Sequence, residues 1–165
     1  MRSFASALAA MALIANALAV PAAVAEPCAR ADEKRAFDVA SLKSELMVTA
    51  IACQMQDRYN QFVSRYRSEL QSDELALNRY FARAAGHRAQ QSHDNYITGL
   101  ANTQSEEGVH QGTLFCTRHL PMFDEVMALK SAKDLPSYAQ SKSLAQPISI
   151  TECAGPKKMR TATSP

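Results

Sequence analysis

Four cysteines, Cys28, Cys53, Cys116 and Cys153, all lie beyond a stretch that reads as an export signal, and that combination constrains the fold most. The signal reading rests on Arg2, on the apolar run "ASALAAMALIANALAV" from Ala5 to Val20, and on the small-x-small pattern "AVA" at 23–25. The run is short for a bilayer span and ends at Pro21, so cleavage leaving Glu26 first is expected rather than a membrane anchor. Residues 1–25 are therefore read as a cleaved signal peptide, 26–153 as one helical domain and 154–165 as a flexible basic tail. The chain is expected to be exported, periplasmic where the cell has an outer membrane and secreted otherwise. In such a compartment an even number of cysteines is read first as disulfides. Four cysteines allow three pairings, and spacing alone does not choose among them.

The periodicity beyond the signal is helical. From Asp32 to Gln56 there is no Gly or Pro, and Val39, Leu42, Leu46, Ala50 and Cys53 recur at three- and four-residue steps, the signature of one buried helix face. Tyr59, Phe62, Val63, Tyr66 and Leu70 repeat the pattern. Ser72 and Asp73 predict the cap of a third helix, carrying Leu75, Ala82, Tyr80 and Phe81, that ends at Gly86. A fourth is expected over 90–102, burying Tyr96, Ile97 and Leu100, with Gly99 permitting close helix contact. "SEE" at 105–107 predicts a further start, with Val109, Thr113 and Cys116 facing inward. Pro121 interrupts that helix and opens another over 121–130. A short helix at 137–144 and an extended arm to Cys153 complete the domain. The expected fold is all-α, a single compact bundle of about five to six helices with an irregular C-terminal arm, stapled by disulfides. If the inward cysteines of the first and fifth helices meet, Cys53 joins Cys116 and Cys28 joins Cys153, the favoured pairing.

At "LKSELMVTAIACQMQDRYNQFVSRY", "NRYFARAAG", "DNYITGLAN" and "LFC" the chain resembles a group of small exported bacterial helical proteins of unassigned function. The likeness spans roughly residues 36–130 and implies no functional residues. Some such sequences carry the label S-adenosylhomocysteine hydrolase, an activity that needs a G-x-G-x-x-G turn after a strand to hold NAD. The five glycines here, at 86, 99, 108, 112 and 155, never form that turn.

Composition excludes some partners. The formal net charge is only +2, which argues against electrostatic capture of nucleic acid or an anionic membrane, and no stable membrane span is expected after signal cleavage. No motif implies a cofactor; covalent haem, for one, would need C-x-x-C-H.

Three features invite chemistry. Cys116 and His119 in "LFCTRHL" stand three apart, so on a helix both could reach one soft metal ion. The ordinary reading is a disulfide cysteine beside an incidental histidine, because close cysteine pairs are missing. The pairs Asp73/Glu74, Glu106/Glu107 and Asp124/Glu125 read as helix-start charges. Arg58, Arg65, Arg79 and Arg83, interleaved with Tyr59 and Tyr66, form a possible ligand surface for an anion. A solvated helix face competes with it, since six arginines meet four acids between Asp57 and Arg88. The chain is thus read as an exported binding or interaction module of the cell envelope, its partner an envelope protein or small ligand. The alternatives are a metal-binding or redox protein using Cys116 and His119, and an envelope hydrolase whose catalytic groups converge only in three dimensions.

Overall fold

The computed structural model describes residues 27–154; the signal-peptide reading of 1–25, and the tail reading beyond Ala154, lie outside the described residues. The described residues are all-α and held by two disulfides, Cys28–Cys153 and Cys53–Cys116, the favoured pairing. In chain order the helices are α1 (Ala31–Ala52), α2 (Gln56–Arg65), α3 (Arg67–Ala85), α4 (Ala89–Gln111), α5 (Leu114–His119), α6 (Pro121–Met127) and α7 (Leu135–Ser141).

Helix α1 organises the rest. Its first turn is closed by Glu33, whose Oε2 accepts the Arg30 amide at 2.7 Å. The expected stripe of Val39, Leu42, Leu46 and Ala50 is buried, yet so are Ala36, Phe37, Ser41, Ser44, Glu45, Val48 and Thr49. A helix covered on nearly every side is a central one, and α1 packs against α2, α3, α4, α5 and α7. Its stripe faces Phe62 of α2, Tyr66 at the α2–α3 junction, Phe123 and Val126 of α6 and Leu135 of α7. The opposite side puts Phe37 against Tyr80 and Phe81 of α3 and Tyr96 of α4.

Several helix boundaries differ from expectation. Ser72 and Asp73 do not start a helix: α3 begins at Arg67 and runs through them, because Leu70, Leu77, Tyr80 and Phe81 extend one packed stripe across the cap position. Leu75 and Ala82 point outward instead of in. "SEE" is likewise internal to α4, which continues to Gln111 and stops where Gly112 takes φ +56°. Val109 and Thr113 are consequently exposed, not inward. Gly99 permits a close contact, but with the arm: a Cβ there would lie 3.0 Å from Pro147.

The C-terminal arm is tied down by polar groups. Gln104, fully buried on α4, donates from Nε2 to the Ser41 carbonyl at 3.0 Å, and Ser41 Oγ donates to the Ala145 carbonyl at 3.1 Å. Gln146 donates to the Phe37 carbonyl at 3.2 Å and accepts from the Tyr96 hydroxyl at 2.7 Å. Beyond it Ala29 N–H donates to Thr151 and Cys153 N–H to Ala29, both at 2.8 Å, next to the terminal disulfide. No helix among the described residues is long and apolar enough to cross a membrane.

Candidate functional site

The arginine and tyrosine residues read as a possible ligand surface are divided by the fold. Tyr66 is fully buried and donates its hydroxyl to the Val126 carbonyl, so it offers no surface. Arg65 lies over its ring and donates to the Leu129 carbonyl at 2.8 Å. Arg58 pairs with Asp124 and sits over Phe123, while Tyr59 is half-buried on the same helix. Arg79 pairs with Asp32 at 2.8 Å. Arg83 pairs with Glu33, whose side chain is 1% exposed, and also donates to the Cys28 carbonyl at 3.3 Å. Spacing on the chain suggested one face; packing turns these cations onto separate carboxylates and carbonyls of α1, α6, the segment just after α6 and the N-terminal segment.

Arg83 therefore carries structure. An Arg83→Ala variant is expected to lose about 2 kcal/mol in urea unfolding, because the buried Glu33 carboxylate keeps only the Arg30 amide. Arg79→Ala, removing an exposed pair, is expected to change stability by less than about 0.5 kcal/mol. Equal effects of the two variants would contradict this assignment.

Cys116 and His119 are also separated. Cys116 is bonded to Cys53 and has no thiolate to give a metal. His119 stacks on Phe115 and turns Nδ1 to within 2.7 Å of Oε1 of the buried Glu45, although neither atom makes an aligned hydrogen bond. No group of three or more metal-ligating side chains is assembled among the described residues.

What the fold assembles instead is a cleft where α1, α2, α3 and α4 meet. Helix α1 contributes Ala36, Ala40, Lys43, Ser44 and Met47, one face at helical steps. Helix α3 contributes Leu70, Asp73, Glu74 and Leu77 at the same steps, and Tyr59 and Ile97 complete the wall. The inner pocket has a volume of about 220 Å³ and opens into a wider groove that shares Lys43, Leu70, Glu74 and Ile97 with it. Its walls are mainly apolar. Two polar atoms shut off from solvent, Ser44 Oγ and Asp73 Oδ2, have no hydrogen-bond partner.

Burial pushes the Asp73 carboxyl up to about 6, with the negative charge of Glu69 adding to the shift and Arg35 opposing it. Burial also raises the Tyr59 phenol. In the groove, His93 is buried against Phe81 and brings Nε2 within 3.4 Å of Glu74 Oε1, although Nε2 makes no aligned hydrogen bond. The sequence reading placed Asp73 in a helix cap. The overlooked signal is the spacing of Leu70, Asp73 and Leu77, which puts the carboxylate on the packed stripe of α3. A second hollow, apolar and beside the Cys53–Cys116 bridge, is lined by Val48, Ile51, Ala101 and Phe115.

Comparison of the chain with protein-family models, with curated proteins and with solved structures gave no match.

Proposed function

We propose that the chain is an exported ligand-binding module of the cell envelope, periplasmic where an outer membrane is present and secreted otherwise, and that it binds a small molecule in the inner pocket. The likeness to small exported bacterial helical proteins belongs to the same proposal. Two disulfides suit an oxidising compartment. One observation carries the binding reading: the pocket combines apolar walls with the unpartnered buried oxygens of Ser44 and Asp73. Buried polar atoms are normally bonded, and apolar cavities with a few convergent polar groups are the usual form of a small-molecule site. A hydrolytic role is the second reading, favoured by the His93–Glu74 contact in the adjoining groove.

The test uses N-phenylnaphthylamine, an uncharged dye that brightens in apolar surroundings. The oxidised protein is expected to bind it saturably, and Ala40→Phe, which fills the inner pocket, to abolish the signal while preserving the circular dichroism spectrum. A signal unchanged by Ala40→Phe would place the dye outside the inner pocket, for instance in the hollow beside Phe115, and sink the pocket reading.

A further inference from the structure

We infer that the inner pocket selects an amphiphile with an apolar body and a primary ammonium head, the head seated on the oxygens of Asp73, Ser44 and Glu74. This rests on the ligand-binding reading and specifies the class of ligand.

Ser44 is only 7% exposed and its Oγ has no partner; Asp73 Oδ2 is equally shut off and unpartnered, and both residues line the one cavity. An ionised carboxylate only accepts hydrogen bonds, and a serine hydroxyl can also accept. Neither of these two buried oxygens is reached by a donor, although Lys43 and Tyr59 also line the pocket. An ammonium group supplies three donors from one atom, together with a charge that makes each bond to a carboxylate stronger. Burial disfavours the ionised form of Asp73, and a cation placed beside it offsets that penalty.

The surrounding charges point the same way. Asp73 is approached by Glu69 on its own helix and by Arg35 from α1. The pocket itself holds Asp73 and Glu74 against Lys43, whose exposed side chain stands where the pocket meets the groove. Tyr59 enters from α2, and His93 from α4 faces Glu74. An anionic head in the inner pocket would meet two carboxylates, and a neutral hydroxyl would leave the Asp73 charge unmatched. The apolar body fits against Val39, Met47, Leu70 and Leu77.

Displacement of N-phenylnaphthylamine by octylamine, octanol and octanoate at pH 7 tests the inference. Octylammonium is expected to displace the dye at a concentration about tenfold lower than either of the others, and Asp73→Asn is expected to bring it level with octanol. Ser44→Ala is expected to weaken octylammonium by about threefold while leaving octanol unchanged.

The Asp73→Asn protein is expected to stay folded by the same physics. The folded-state carboxyl titrates at about 6 against an ordinary 3.8, so the folded chain takes up the proton first and loses stability as pH rises from about 4 to 6. The asparagine variant lacks that loss and is expected to melt above the parent protein at pH 7. Equal displacement by all three probes, or a preference that survives Asp73→Asn, overturns the ammonium inference and leaves dye binding, hence the wider reading, intact. Failure of the parent protein to bind the dye, or binding that Ala40→Phe leaves untouched, removes both.

Discussion

Replacing Cys28 and Cys153 together by serine is expected to lower the unfolding free energy by about 4 kcal/mol, and replacing Cys53 and Cys116 by nearly as much. The bridges join residues 125 and 63 apart in sequence, so each restricts a long stretch of the unfolded chain. In the chain-entropy description loops of those lengths correspond to about 5 and about 4 kcal/mol, before any retained structure in the unfolded chain reduces the gain. Domains of this size are stable by only about 5–15 kcal/mol, so removing both bridges is expected to leave little folded protein.

The two variants also differ in where they loosen. Cys153 anchors the arm that Gln104, Ser41 and Gln146 hold across α1 and α4, so its loss is expected to speed amide exchange at Thr151–Cys153 and at Ala29 first. Loss of Cys53–Cys116 is expected to free α5 from the end of α1 instead. Urea titration and hydrogen exchange of the two double variants measure both effects. If either variant unfolds within about 1 kcal/mol of the parent, the bridge is incidental to stability.

Phe37→Ala is expected to cost about 4 kcal/mol, at the upper end for a single side chain. Phe37 is fully buried and presents its ring edge-on to Tyr80 at 4.8 Å and Tyr96 at 4.9 Å, with Phe81 at 5.9 Å. Truncation removes the largest apolar group between α1 and the α3–α4 pair, and the three surrounding rings cannot collapse freely, because Tyr96 is held through Gln146. Phe37→Leu keeps most of the volume and is expected to cost about 1–2 kcal/mol. Val109→Ala, at a site 79% exposed, serves as the control and is expected to be silent. Chemical denaturation of the three variants reads the ranking, and a Phe37→Ala cost near that of Val109→Ala would refute the central position of α1.

How much of this was legible in the chain depends on whether a signal is local. The stripe Val39, Leu42, Leu46, Ala50 was readable because one helix repeats one spacing. The burial of Ser41, Ser44, Glu45 and Thr49 on its other sides was not, since it depends on α3, α4 and the arm coming from elsewhere. Ser72 and Ser105 look like helix starts for sound local reasons, but a cap contributes about 1 kcal/mol, and continuous packing of the stripe across it outweighs that. The candidate cleft was the least legible part. Lys43, Asp73 and Ile97 are ordinary residues of separate helices, and only the approach of α1, α3 and α4 turns them into one wall. The arginine face failed in the opposite direction: the residues were conspicuous in sequence, yet partners distant in the chain, Glu33 at Arg83 and Asp124 at Arg58, took them.

From the sequence alone came the all-helical class and the favoured pairing of cysteines, because helical periodicity and the position of a residue near a terminus are properties of the chain itself. Only the tertiary structure decided that His119 faces Glu45, that α1 lies at the centre, and that Ser44 and Asp73 share a pocket with neither oxygen bonded. Those are matters of which surfaces meet and which polar atoms are left without partners, and a linear pattern carries no record of either until the helices pack.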